Sequence, residues 1–383
     1  MLQLPPLALY VHIPWCVRKC PYCDFNSHEP NGAIPEQEYL RALIADLDTE
    51  LPHAQGRRLQ SIFIGGGTPS LFSAPGIGAI LDAAERRIGF ARDIEITLEA
   101  NPGTVEQGRF QGFRSAGVNR LSIGIQSFDN AQLARLGRIH DRAAAIAAVH
   151  AARAAGFDNI NLDLMHGLPD QTPAGAIADL ALAVDLAPSH LSWYQLTIEP
   201  NTVFHKRPPP LPAEDTLDEI QQQGETVLAA AGFAQYEVSA YTQPGRQSRH
   251  NLNYWQFGDY LGIGAGAHGK YSLADGNRIL RASKTRAPAD YLSRRGDWRA
   301  SEQAVEPAER PFEFMMNALR LVGGVPRSFY QARTGLAFTD LEPRWHDLVQ
   351  RGLVHEASER LATTELGLRY LNSVLALLEP AAP

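Results

Sequence analysis

The chain has three cysteines, Cys16, Cys20 and Cys23, all inside the stretch Cys16-Val17-Arg18-Lys19-Cys20-Pro21-Tyr22-Cys23. An odd number in so short an interval excludes the disulfide framework of a small secreted domain. A redox dithiol at Cys20 and Cys23 would leave Cys16 without a role. The C-x3-C-x2-C spacing instead lets one loop wrap three corners of a cubane iron–sulfur cluster, for which thiolates are the usual ligands. The fourth iron then has no protein sulfur, and an open position is what a reactive cluster needs. A structural zinc site competes, with His12 or His28 as the fourth tetrahedral ligand. The motif alone leaves both readings open.

Two further motifs invite chemistry. Gly264-Ala265-Gly266-Ala267-His268-Gly269 satisfies G-x-G-x-x-G, with Asp290 near the distance of a ribose-binding acid. A dinucleotide site is rejected, because the following residues, 270–277, read as an extended segment with a turn, where a helix should begin. The glycines are expected in a close-packed loop beside the active-site mouth. In His250-Asn251-Leu252-Asn253-Tyr254-Trp255, an imidazole sits beside flat apolar side chains that suit a heme macrocycle, although by itself a lone histidine there reads rather as a core or capping residue with structural aromatics.

The elements that must position these residues show in the hydrophobic pattern. Apolar, β-branched runs at Leu7–His12, Gln60–Ile64, Ile94–Glu99, Asn119–Ile125, Asn159–Leu164 and His190–Leu196 predict buried strands. Helix-period segments separate them; Ile77, Ile80, Leu81, Ala84 and Ile88, for example, share one apolar face. The alternation predicts right-handed crossovers and a parallel sheet, as a barrel or a doubly wound sheet. Chemistry collects at the carboxyl ends of such strands. There the chain places the cysteines, Gly65-Gly66-Gly67-Thr68-Pro69, Glu99, Gln126 and Asp163. The run Pro208-Pro209-Pro210-Leu211-Pro212 is a stiff breaker, with a helix expected over Ala213–Ala231. The expected organisation is residues 1–205 with the cluster site, a connecting region 206–305, and a C-terminal region 306–383 of helices with a hairpin across Leu353–Ala362.

Length and charge set outer bounds. A chain of 383 residues, 44% of them hydrophobic, buries a sizeable core in about two or three domains. Its 35 basic and 42 acidic residues leave a net charge of −7, against broad attraction to nucleic acid or anionic membranes. No stretch approaches the roughly 20 apolar residues of a membrane span, and no signal peptide is evident. The expectation is a cytoplasmic protein with at most peripheral membrane association, no nucleic-acid partner, and room for a homodimer.

The cysteine segment, the glycine run and the later polar residues together resemble radical SAM proteins, in particular the HemN and HemW branch. The resemblance runs from Tyr10 to the C-terminal region. It implies an α/β fold, a partial (β/α)6 radical SAM barrel with a smaller winged-helix-like α+β region at the C-terminus. It also implies a [4Fe-4S] cluster on Cys16, Cys20 and Cys23, with S-adenosylmethionine filling the open iron position. Contacts to S-adenosylmethionine carry over to Tyr10, Tyr22, Gly66, Gly67, Thr68, Glu99, Gln126, Arg138 and Asp163. In this reading Gly66 and Gly67 admit the methionyl group, and Arg138 pairs with its carboxylate. The H-N-x-x-Y-W string matches a motif of the branch and implies heme contacts at His250, Asn251, Tyr254 and Trp255. His250 is expected as axial ligand near the barrel mouth, with His12, His166, His205 and His268 as rivals.

Dehydrogenase members of the branch act on coproporphyrinogen III and continue the motif to C-x3-C-x2-C-x-C, whereas this chain has Phe25 at the added position. Their N-terminal extension is also missing. The resemblance therefore implies a heme chaperone serving acceptor proteins such as respiratory hemoproteins. A porphyrinogen dehydrogenase or other radical enzyme and a zinc-stabilised binding module are the alternatives.

Overall fold

The structure, a computed structural model, describes residues 1–103 and 108–379. Six parallel strands lie side by side in chain order: β1 (Leu7–Ile13), β2 (Leu59–Gly66), β3 (Phe90–Ala100), β4 (Arg120–Gln126), β5 (Ile160–His166) and β6 (His190–Gln195). A doubly wound sheet reverses its order at a switch point. This one does not, which settles the choice in favour of the partial (β/α)6 barrel. Between the strands run α1 (Glu36–Ala54), α2 (Ala74–Arg87), α3 (Phe110–Ser115), α4 (Asn130–Arg135), α5 (Arg142–Ala154) and α6 (Pro173–Asp185). Side-chain caps start several of them: Ser73, Asp141 and Thr172 accept the N–H of Gly76, Ala144 and Gly175. On α2 the predicted face, Ile77, Ile80, Leu81 and Ala84, is buried.

Beyond β6 come α7 (Val203–Lys206), α8 (Glu214–Ala230), β7 (Ala234–Glu237), β8 (Ala240–Thr242) and α9 (Arg249–Trp255). Strand β9 (Asp259–Ile263) then returns to pair in parallel with β1. It is followed by β10 (His268–Leu273), β11 (Arg278–Lys284), α10 (Pro288–Ser293) and β12 (Arg299–Ala304), whose strands extend the sheet antiparallel to 12 strands. These additions escaped the hydrophobic pattern because they are short or polar. In β12, Arg-Ala-Ser-Glu-Gln-Ala, almost every residue is exposed. Buried ion pairs tie this half to the barrel: Asp46 of α1 accepts from Lys284 at 2.5 Å, and Asp259 accepts from Arg57 at 2.7 Å and Lys270 at 3.1 Å.

The glycine motif is the turn from β9 into β10, so a strand follows it. Gly264 and Gly266 have φ of 103° and 81°, which favours glycine there. A Cβ on Gly264 would meet the His12 carbonyl, and one on Gly266 the Asn26 side chain.

The C-terminal region holds α11 (Arg310–Ala318), α12 (Ser328–Thr334), α13 (Glu342–Gln350), α14 (Glu365–Arg369) and α15 (Leu371–Leu378). The hairpin expected over Leu353–Ala362 is reduced to one bridge, Val354 with Thr363. Its second limb, Arg360–Leu361, pairs with Val325–Pro326. Residues 380–383 lie outside the described ones.

In the parallel strands, Ile96, Leu98, Leu121, Ile123, Leu162, Leu164 and Leu191 join the core under the helices. The alternate positions face the barrel interior and are polar. Gly224, inside α8, is placed by packing, since glycine in a helix interior costs about 1 kcal/mol relative to alanine. A Cβ there would run into the Trp193 indole. Gly224→Ala is therefore expected to lower stability by about 1–3 kcal/mol despite its better helix propensity, measured as a shift in the urea midpoint.

Candidate functional site

The cysteine loop opens from the carboxyl end of β1 and is pinched at its neck. Cys16 N–H donates to the His28 carbonyl at 3.0 Å and His28 N–H to the Pro14 carbonyl at 2.7 Å. Thr68 N–H donates to the Trp15 carbonyl at 2.7 Å. Asn26 fastens the far side, donating to the Ala265 and Arg286 carbonyls at 2.9 Å each. The glycine turn is the wall against which the loop is fixed.

All three thiols are free and half-buried. Thr68 Oγ1 donates to Cys16 Sγ at 3.5 Å, and Arg138 Nη1 to Cys20 Sγ at 3.6 Å. Asn101 joins these two braces: its Nδ2 donates to Thr68 Oγ1 at 2.9 Å, and its Oδ1 accepts from Arg138 Nη2 at 2.6 Å. A hydrogen-bonded chain thus runs from Cys16 to Cys20 across the ends of β2, β3 and β4. Burial pushes the Cys16 and Cys23 thiols up, so metal loading must displace their protons.

Behind the loop lies a cavity of about 1020 Å³. It brings together Cys16, Cys20, Cys23, Tyr22, Gly66, Gly67, Thr68, Glu99, Gln126, Arg138 and Asp163, with Asn251 and Trp255 at its inner side. Tyr10, His250 and Tyr254 are not on its wall. Tyr10 stacks on Phe63 and bonds His12 Nδ1 at 3.0 Å, while His12 Nε2 meets the Asn26 carbonyl at 2.9 Å. Both His12 nitrogens are therefore engaged, and burial lowers its pKa to about 4.

Protein contacts by themselves already require glycine at 66 and 67. A Cβ on Gly66 would meet the His12 ring at 2.5 Å, and one on Gly67 the Trp15 carbonyl at 2.5 Å. At Gly66 it is the neighbouring strand β1, and at Gly67 the neck of the cysteine loop, that excludes a side chain. Gly66, with φ of 113°, donates its N–H to Glu99 Oε2 at 3.0 Å.

The interior wall is polar. Asp163 accepts from Ser122 Oγ at 3.0 Å and Asn161 Nδ2 at 2.8 Å, and Gln126 Oε1 accepts from the Tyr194 hydroxyl at 2.8 Å. Burial, reinforced by nearby Asp163, pushes Glu99 up to about 8; Asp163 is also raised by burial. Asn101, Ser122, Ser192 and Tyr194 line the cavity without having been singled out in the sequence. Inward period-two positions on β4 and β6 would have found Ser122, Ser192 and Tyr194, and Asn101 lies two residues past Glu99.

His250 is placed otherwise than expected. It lies on helix α9 at the amino-terminal side of the barrel, where Ser61 Oγ meets its Nδ1 at 3.2 Å and Glu95 accepts its N–H at 3.2 Å. Its ring stacks on Phe63 with centroids 5.0 Å apart, and burial lowers its pKa to about 3. Tyr254 meets it edge-on at 4.7 Å. Among the rivals, His166 is buried against Trp193, His268 begins β10, and His205 is exposed on α7.

Comparison with known proteins places this geometry. The Radical SAM superfamily pattern matches residues 10–182, and the HemN C-terminal domain matches 305–370. The chain is 52% identical over 377 residues to heme chaperone HemW of Escherichia coli, covering 98% of this chain and 99% of that one. The chain belongs to the HemW family of radical SAM proteins. HemW of Bacillus subtilis is 33% identical over 373 residues, 96% of this chain and 97% of that one. The fold is shared with coproporphyrinogen III oxidase (HemN) of Escherichia coli at a TM-score of 0.82 and 23% identity, covering 98% of this chain and 90% of that one.

Radical SAM membership implies a [4Fe-4S] cluster and S-adenosylmethionine, and the residues of this HemW-family chain fit both. Three free thiols on one braced loop are the donor set for the cluster. Arg138 has a buried Nε without a partner among the described residues, directed at no protein acceptor beside a polar cavity. Its Nη2 is committed to Asn101 and the Gly124 carbonyl and its Nη1 to Cys20 Sγ, so Nε is the donor left for a carboxylate.

Glu99 binds its proton more tightly folded than unfolded, so the folded state loses stability as pH rises from the ordinary carboxyl range through about 8. In the protein freed of cluster and S-adenosylmethionine, Glu99→Gln is expected to remove a decline on the order of 1–2 kcal/mol between pH 6 and 8. Denaturant midpoints measured across that window check it.

Proposed function

We propose that this chain is a heme chaperone: it binds heme, carries a [4Fe-4S] cluster on Cys16, Cys20 and Cys23 with S-adenosylmethionine in the cavity behind them, and delivers heme to acceptor hemoproteins. The observation that carries this reading is the full-length similarity to proteins named heme chaperone HemW. The motif supports it, because an exposed phenylalanine, Phe25, stands where the dehydrogenase pattern adds a cysteine. A dehydrogenase reading draws on the fold shared with HemN, but a fold hosts many activities. A zinc module draws on the cysteines, yet His12 has both nitrogens engaged and His28 Nε2 meets Asn26 Oδ1 at 3.2 Å.

The chain's own residues would do the following. The Thr68–Asn101–Arg138 brace holds the cysteine loop over the cavity. Arg138 Nε donates to the methionyl carboxylate, and Glu99, Gln126 and Asp163 take the ribose and amine groups. When bound, the cluster supplies an electron to the sulfonium. Asn251 and Trp255 face the inner side of the cavity because His250 seats α9 in the barrel. Among the described residues no helix is long and apolar enough to cross a membrane, and a cytoplasmic site of action is part of the proposal.

Anaerobic reconstitution should give a protein with four irons and four sulfides, and Cys16→Ser, Cys20→Ser or Cys23→Ser should each abolish it, because hard oxygen replaces soft sulfur. Hemin titration should show saturable binding, while coproporphyrinogen III should be left unconverted with reductant and S-adenosylmethionine present. Product formation above a cluster-free control would make the enzyme reading primary, and one tightly held zinc without iron the zinc module.

Because His250 is a seating residue in the barrel, His250→Ala is expected to cost about 2–4 kcal/mol of stability, the range for a buried truncation that also loses a hydrogen bond. The Soret band of bound hemin should not move. A shifted band in a variant that keeps its fold would restore His250 as axial ligand.

A further inference from the structure

Among the described residues twelve large apolar side chains are exposed, and the most exposed of them gather in one place. Among the described residues, with the amino-terminal Met1 set aside, the four most exposed are Ile139 at 63%, Phe25 and Val203 at 58%, and Val17 at 56%. Single exposed apolar residues are ordinary, but a concentration of the most exposed ones at one opening marks a binding surface. Val17 and Phe25 stand on the cysteine loop, and together with Ile139 they line the cavity. The Gly137 carbonyl, two residues before Ile139, accepts from Arg18 Nη2 at 2.5 Å. Phe204 N–H donates to the Pro21 carbonyl at 3.0 Å, which sets Val203 beside the loop as well. The four residues thus frame one mouth. Exposed cations border them: Arg18 next to Val17, and Lys206 and Arg207 just past Val203.

Resting on the heme-chaperone reading, we propose that this rim is the surface on which the chain holds heme. The macrocycle lies across the mouth against Val17, Phe25, Ile139 and Val203, with its propionates turned to Arg18, Lys206 and Arg207. The chemistry matches on both counts. A flat apolar ring needs apolar contact area, and carboxylates at its edge need exposed cations. A protein partner fits less well, because a standard interface buries about 800 Å² on each side. Here four side chains surround an opening. Heme held this way caps the cavity and keeps one face toward solvent, where an acceptor can take it.

The test uses the full chain, reconstituted anaerobically and titrated with hemin by Soret absorbance. The double variant Phe25→Ser with Ile139→Ser should weaken hemin binding at least tenfold, with iron content and thermal midpoint unchanged. Arg18→Ala combined with Lys206→Ala and Arg207→Ala should weaken it severalfold and flatten its salt dependence. If wild type binds hemin and both variants bind it equally well, the rim is not the heme surface. Unchanged hemin binding with lost transfer to an apocytochrome b would make it an acceptor-docking surface and overturn the proposal in that way. Failure of wild type to bind hemin at all would instead remove the heme-chaperone reading on which the proposal rests.

Discussion

The site depends on a loop that has almost no core of its own. Residues 16–27 include Arg18, Lys19, Asp24 and Asn26, Val17 and Phe25 point outward, and Tyr22 alone packs on a small apolar cluster beside Phe204. Burial of apolar surface cannot hold such a segment, so hydrogen bonds to the rigid strand ends must. The neck at Cys16 and His28, the Asn26 anchor and the Thr68–Asn101–Arg138 chain together do this. Each bond is worth about 1 kcal/mol, so precision here comes from number and from the stiffness of β2, β3 and β4. Gly67 follows from the same constraint, since the neck of the loop approaches the strand end closely enough to exclude a Cβ, whereas at Gly66 the His12 ring of β1 does so.

Because the cavity lies inside a parallel sheet, the chain has to solve an unusual packing problem. Parallel strands are ordinarily buried on both faces and read as continuous apolar runs. Here Glu99, Ser122, Asp163 and Ser192 face inward; burial raises both carboxyls, and Asp163 raises Glu99 further. Desolvated acids of this kind cost stability unless protonated or paired. The wall therefore makes sense as the lining of a polar ligand, with hydroxyl and amine groups to take up the acceptors that protein leaves over.

What was legible in the sequence follows from where signal is strong. The six parallel strands have long apolar runs, and the strand-end rule put Glu99, Gln126 and Asp163 on one rim; all three line the cavity, Glu99 and Gln126 at strand ends and Asp163 midway along β5. Asn101 was not legible, because an asparagine before a proline reads as a turn residue; only its reach to both Thr68 and Arg138 reveals its part. Strands β7 to β12 gave little signal because they are short or polar; only the extended segment at 270–277 was legible, and it falls on β10 and the turn after it. His250 was misplaced for a related reason: a motif records which residues occur together, and burial is decided by partners such as Ser61 and Phe63, far away in the chain.

Helix α9 joins the two halves of the molecule. Ser248 caps it, His250 and Asn253 are buried on its inner side, and Trp255 at its end lines the cavity. The Trp255 ring also lies under the Arg320 guanidinium at 4.4 Å, and Arg320 pairs with Glu237 at 3.5 Å. Around these residues a second core gathers Phe257 and Ile279 with Phe314, Tyr330 and Trp345 of the C-terminal region. A cation over an indole contributes on the order of 0.5–2 kcal/mol, enough to bias a side-chain orientation. The orientation of Trp255 at the cavity is thus set partly by the C-terminal region, which gives a packed surface distant from the cysteines a physical route to the shape of the site.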